Sequence, residues 1–204
     1  MSQQSKKRGR RAAAWWLSWL LGLLALGCGG EPHPEVLVLV NRESPISIAI
    51  GNTYAKRRGI PAQNILELSI PLADTNLTHP DDAAISRADY ETLIRDPTAR
   101  FLERTGRANE VTTLVTTLGI PLRVSGKRAS PPMWLRETDT ASVDAELALV
   151  LSDQDGVAGV AAMVNPYYDS TQSFSEFRNS HPNSPLRYLV ARLTGYPSEL
   201  DPET

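Results

Sequence analysis

The amino-acid sequence predicts a three-layer α/β domain, with a mainly parallel sheet of about four strands between flanking helices. Val36, Leu37, Val38, Leu39 and Val40 form a continuous, mostly β-branched apolar run, the pattern of a strand buried on both faces as in a parallel sheet. Strand-like and helix-like segments then alternate in the order β-α-β-α-β-α-β, as expected where helices cover both faces of a sheet. The 176 residues after Cys28 suffice for one domain with a sizeable core.

Asn41 ends the first strand. Ser44 and Pro45 read as the N-cap and first residue of a helix with Ile46, Ala49, Ile50 and Tyr54 along one face; Lys56, Arg57 and Arg58 complement its C-terminus before Gly59. Ile60-Pro61 turns the chain into a second strand over residues 64–70, carrying Ile65, Leu66, Leu68 and Ile70. This βαβ unit predicts a parallel pair. A polar loop over residues 71–82 leads to Ser86 and Asp89, which resemble a capping box for a helix through Tyr90, Leu93 and Ile94. Pro97 predicts a break, with a second helix carrying Phe101 and Leu102 to Gly106.

A third strand, rich in Val and Thr, is expected over residues 111–118, leaving through Gly119-Ile120-Pro121-Leu122-Arg123. Residues 142–151 read as a short helix with Asp144 and Glu146 near its positive end, followed by the turn Asp153-Gln154-Asp155-Gly156. Residues 165–185 read as loop and residues 187–193 as the fourth strand. Only residues 194–204 follow, with two prolines and no amphipathic stretch to cover that strand, so the sequence reads as a C-terminally shortened version of a longer protein.

The first 28 residues read as an export signal. Lys6, Lys7, Arg8, Arg10 and Arg11 precede an apolar stretch over residues 12–26, interrupted only by Ser18 and Gly22. At 15 residues it is shorter than the ~20 that a membrane-spanning helix needs. The order Ala25-Leu26-Gly27-Cys28 resembles the lipobox of bacterial lipoproteins, whose cysteine is acylated and becomes the first residue; Ala25 stands where Leu is preferred. Cys28 is the only cysteine, so no disulfide, CxxC metal site or Cys-His pair forms within one chain. The expected organisation is a signal over residues 1–28, a proline-rich tether over 29–34 and one α/β domain over 35–204.

Loss of the signal leaves 16 basic against 23 acidic residues, a net charge of −7. Such a surface repels phosphate backbones, so no nucleic-acid partner is expected. The partners expected are a membrane, through the lipid on Cys28, and envelope proteins.

In open parallel sheets, ligands bind beyond the carboxyl ends of the strands. That edge would gather Asn41, Arg42, Glu43, Asp74, residues 117–123 and Arg192, with Asp144 and Glu146 reaching it from the helix after the Gly119 loop. Arg123 with Asp144 or Glu146 is the candidate catalytic group, and Asn41 and Arg192 are candidate binding residues. The alternative is structural: the two acids favour a helix N-terminus and Arg123 pairs with one of them. Two residues apart, Asp144 and Glu146 point to different faces and form no acid/base pair by themselves.

No cofactor or metal site is expected. His33, His79 and His181 each stand before a proline, away from helical ligand spacing. The turn at Asp153 lacks the later glutamate of a calcium loop, and Gly119-Ile120-Pro121 lacks the Lys-Ser/Thr of a phosphate loop. Tyr167-Tyr168 is either a ligand platform or a pair of half-buried loop aromatics.

The segments VLVLVNRESPISIAIGNTYAKRRGIPAQNIL, ISRADYETLI, TLVTTLGIPLRV, ASVDAELALV, NPYY and RYLVARLTG run in order over nearly the whole mature chain. Together they resemble an uncharacterised family of exported bacterial proteins whose genomes tend to encode the exosortase protein-sorting system. The chain departs from it at Leu118, where the family tends to have Lys, and at Thr194, where it tends to have Asp. The resemblance implies a fold and an association with surface-protein sorting, and no mechanism. The expected function is that of an exported, lipid-anchored envelope protein with a partner-binding domain; the alternative is a hydrolase-like enzyme at the carboxyl edge of the sheet.

Overall fold

A computed structural model describes residues 32–71, 84–125, 140–152 and 165–194. The signal with Cys28, Asp74, His79 and the turn at Asp153 lie outside the described residues.

Four parallel strands form the central sheet: β1 (Val36–Asn41), β2 (Ile65–Leu68), β4 (Thr113–Thr117) and β7 (Leu189–Leu193), in the order β2-β1-β4-β7. As its unbroken apolar run predicts, β1 is central, and Leu37, Leu39, Val38 and Val40 are buried on alternating faces. α1 (Pro45–Arg57) covers one face, where Ala55 and Ile60 pack against Val38, Val40 and Val115. The other face carries the larger core: Leu37, Leu39 and Leu114 meet Tyr90, Ile94 and Leu102 from one helical segment and Val143 and Leu147 from another. The result is the expected three-layer α/β fold.

Local chemistry sets the ends of α1. Ser44 caps it, its Oγ accepting from the Ser47 N–H, and Gly59, at φ 63°, turns the chain out beyond Arg58. Gly51 lets the helix lie close to the sheet, since an added Cβ would overlap Val40 Cγ1.

The break expected at Pro97 is not there. α2 (Arg87–Tyr90) runs through a π-helical turn (Glu91–Arg95) directly into α3 (Asp96–Arg104). The wider turn shifts the hydrogen-bond register, the Asp96 N–H reaching Glu91 O, so the chain absorbs the proline's missing donor without ending the helix. Ser86 caps α2 as expected.

Two further differences concern short elements. β3 (Ala84–Ser86), β5 (Arg123–Ser125) and β6 (Thr140–Ser142) make a second sheet, with β3 parallel and β6 antiparallel to β5. Three-residue strands are too short to show a two-residue period. Within the segment read as loop, α5 (Phe174–Ser180) is closed by a full capping box between Ser173 and Glu176. The short α4 (Val143–Ala148) starts from its cap Ser142, close to expectation.

Candidate functional site

Sheet order places the topological switch between β1 and β4, since the chain goes from β1 outward to β2 and from β4 outward to β7. The crevice beyond those carboxyl ends is where a ligand would bind in a sheet of this kind. Among the described residues, the polar side chains there bond to one another and to the backbone.

Asn41, at the end of β1, is fully buried. Its Nδ2 donates to Ile70 O at 2.9 Å and Gly119 O at 3.0 Å, while its Oδ1 accepts from the N–H groups of Ile70 and Glu43, each at 3.1 Å. A side-chain amide offers two donors and an acceptor with two lone pairs, so Asn41 is saturated. It ties together the exits of β1, β2 and β4. Beneath it, Ser47 Oγ accepts from the Asn41 N–H at 2.8 Å and lies 2.6 Å from Thr117 Oγ1, which donates to Leu39 O at 3.0 Å. Gly119, at φ 98°, brings its backbone against Ser44: an added Cβ would stand 2.8 Å from Ser44 Oγ.

Arg192 is equally committed. In register opposite Thr116, it meets Asp144 bidentately, Nε at 2.9 Å and Nη2 at 2.6 Å. Nη1 and Nη2 also donate to Ile120 O at 2.7 Å and Pro121 O at 3.1 Å, and Thr116 Oγ1 donates to Asp144 Oδ1 at 3.2 Å. One guanidinium therefore joins β7, α4 and the Gly119 loop.

Glu146 points elsewhere, as its spacing from Asp144 requires. Its side chain is fully buried and accepts from Arg87 Nη2 at 2.8 Å. That hydrogen bond holds the Arg87 guanidinium above its ordinary pKa against the opposing effect of burial. Glu146 Oε2 and Arg87 Nε and Nη1 are buried with no hydrogen-bond partner among the described residues. The pair links α4 to the segment leaving the small sheet.

The two acids thus have separate arginine partners, Arg192 and Arg87, where the sequence pointed to Arg123. Arg123 instead begins β5, exposed, with its backbone in register with Ser142. Arg87 was missed, although a cation in the first turn of a well-capped helix opposes the helix dipole and so signals an acidic partner. Ser47 was also missed, since its small hydroxyl carries no periodic signal, whereas Thr117 falls at the expected edge.

The loop aromatics have divided roles. Tyr167 packs edge-on against Phe174 at 5.2 Å and Phe177 at 5.1 Å and donates its hydroxyl to Gln172 O, whereas Tyr168 is 76% exposed. His181 stacks on Phe177 at 4.5 Å. Among the described residues, no group of three or more His, Cys, Asp or Glu could hold a metal ion, and no helix is long and apolar enough to cross a membrane.

Protein-family models, curated proteins and solved structures were compared with the chain, and none matches it.

Proposed function

We propose that this chain is an exported envelope protein, anchored through a lipid on Cys28, whose α/β domain acts by binding a partner. What favours binding over catalysis is that the described polar groups at the carboxyl edge are engaged with one another and with the backbone. Asn41 and Arg192 spend their polar groups on backbone carbonyls, backbone N–H groups and Asp144, and Glu146 is enclosed with Arg87. The hydrolase-like alternative draws no support from this arrangement, because Asn41, Arg192, Asp144 and Glu146 are each engaged with the protein's own groups. The anchoring half rests on the sequence: a basic, then apolar N-terminal segment ending in small residues and the chain's single cysteine. The link to surface-protein sorting rests on the family resemblance alone.

The test is fractionation of cells producing the wild-type chain or Cys28→Ser. Wild-type protein should stay with membranes through high-salt and carbonate washes, while the variant moves to the soluble envelope fraction. A variant that remains membrane-bound would sink the anchor. For the edge, a folded Asp144→Ala variant should capture the same envelope proteins as wild type. Lost capture at unchanged stability would return Asp144 to a functional site.

A further inference from the structure

The tether enters the domain at the amino edge of the sheet, and it is fixed there. Pro34 O accepts from Asn64 Nδ2 at 3.0 Å and from Arg107 Nη2 at 2.8 Å, while Asn64 Nδ2 also donates to Val36 O at 2.8 Å and Arg107 donates to Asn64 Oδ1. Asn64 is fully buried, so this junction is part of the folded domain. Pro34 lies six residues after Cys28, a reach of at most about 20 Å at full extension.

The last turn of α1 lies at the same edge. α1 returns the chain from the carboxyl end of β1 to the amino end of β2, so Lys56, Arg57 and Arg58 come to the side where the tether enters. Proximity is direct: Tyr54 and Ala55 from that turn, with Ile60 just after it, share one cluster with Val36 and Ile65, and Arg58 stacks over Tyr54. All three basic side chains are exposed. Neighbouring charges are already engaged, Glu35 with His33 and Glu110 with Arg107. Among the described residues, Lys56, Arg57 and Arg58 have no carboxylate partner. Complementing the helix dipole explains a basic bias in a last turn. It does not explain why an acidic mature chain places three adjacent cations beside its tether.

We infer that Lys56, Arg57 and Arg58 form a docking face for an anionic phospholipid surface, which holds the amino edge of the sheet against the membrane and presents the carboxyl edge outward. This rests on the anchor proposed above. The lipid supplies the attachment itself, and a basic patch beside it adds an electrostatic contact that sets how the domain lies on the membrane. Basic residues within a Debye length of about 8 Å of anionic headgroups gain most, so a short tether makes the patch effective.

The experiment uses the lipidated full chain reconstituted into phosphatidylcholine vesicles with or without phosphatidylglycerol. Because the chain has one cysteine and the lipid occupies it, an introduced Gln63→Cys gives a single dye site at the amino edge, and Arg42→Cys gives one at the carboxyl edge. Quenching by a headgroup nitroxide lipid reports contact. With phosphatidylglycerol, quenching should be strong at position 63 and weak at position 42. Lys56→Gln/Arg57→Gln/Arg58→Gln should shift the docked-to-undocked ratio by on the order of a hundredfold. A melting curve like that of the parent shows that this milder variant is folded, and reversal of the three residues to Glu should remove the contact.

Quenching at position 63 that ignores phosphatidylglycerol or the triple substitution, or that is equal at both positions, would overturn the docking face while the protein still floats with vesicles. Failure to float with phosphatidylcholine vesicles, with an unmodified Cys28 by mass, would overturn the anchor and the docking face together.

Discussion

Asn41→Ala is the sharpest probe of the closed carboxyl edge. The substitution removes four hydrogen bonds, two of them to the fully buried backbone of Ile70 and two to the part-buried Gly119 O and Glu43 N–H. A buried polar group left without a partner costs about 1–3 kcal/mol, and the two part-buried groups regain some solvation. The sum is about 4 kcal/mol. With an unfolding slope of about 2 kcal/mol per M, the urea midpoint should fall by about 2 M, read by far-UV circular dichroism on purified wild-type and variant chains. A residue kept for ligand contact behaves in the opposite way, since its removal commonly leaves stability unchanged or raises it. A loss below about 1 kcal/mol would refute the clamp, and a gain in stability would argue for a binding residue.

The same reasoning gives three further expectations. Gly119→Ala should cost more than about 1 kcal/mol, because φ is 98° and the new Cβ meets Ser44 Oγ at 2.8 Å; an unchanged urea midpoint would mean the loop is free to move. Glu146→Ala leaves the mostly buried Arg87 guanidinium without its carboxylate and should cost about 3–5 kcal/mol, with Glu146→Gln losing less because an acceptor remains; a near-neutral Ala variant would show that the pair is dispensable. Burial raises the Tyr188 pKa above 10.0. Its folded form therefore favours the protonated phenol, so the stability it contributes is fully present below the unfolded value and is lost as pH rises through the folded one. Denaturation at increasing alkaline pH should show this loss in wild type and a smaller one in Tyr188→Phe; identical pH dependence would place the phenol in solvent.

What the sequence revealed of the fold follows signal length. The β1 run and the capped α1 each span enough residues for their periods to be counted, and both appear as read. The small sheet and α5 did not emerge because three or seven residues hold little periodicity, although Ser173 and Glu176 carried a capping-box signature inside the presumed loop. At the site, Asn41, Asp144, Glu146 and Arg192 were picked out, but their pairings were not. Asp144 meets an arginine 48 positions away and Glu146 one 59 positions away, and only strand register and helix docking bring those partners together. Arg123 was expected at the carboxyl edge through the loop after β4, but that loop runs on into β5 of the second sheet and carries it away.

The anchor on Cys28 is the claim on which both the location and the orientation of the domain depend. Mass analysis of the N-terminal peptide from membrane-isolated protein tests it most directly. The account predicts a mature chain that begins at Cys28 and carries acyl mass; an N-terminal peptide with an unmodified Cys28, or a mature chain that begins beyond it, would contradict it.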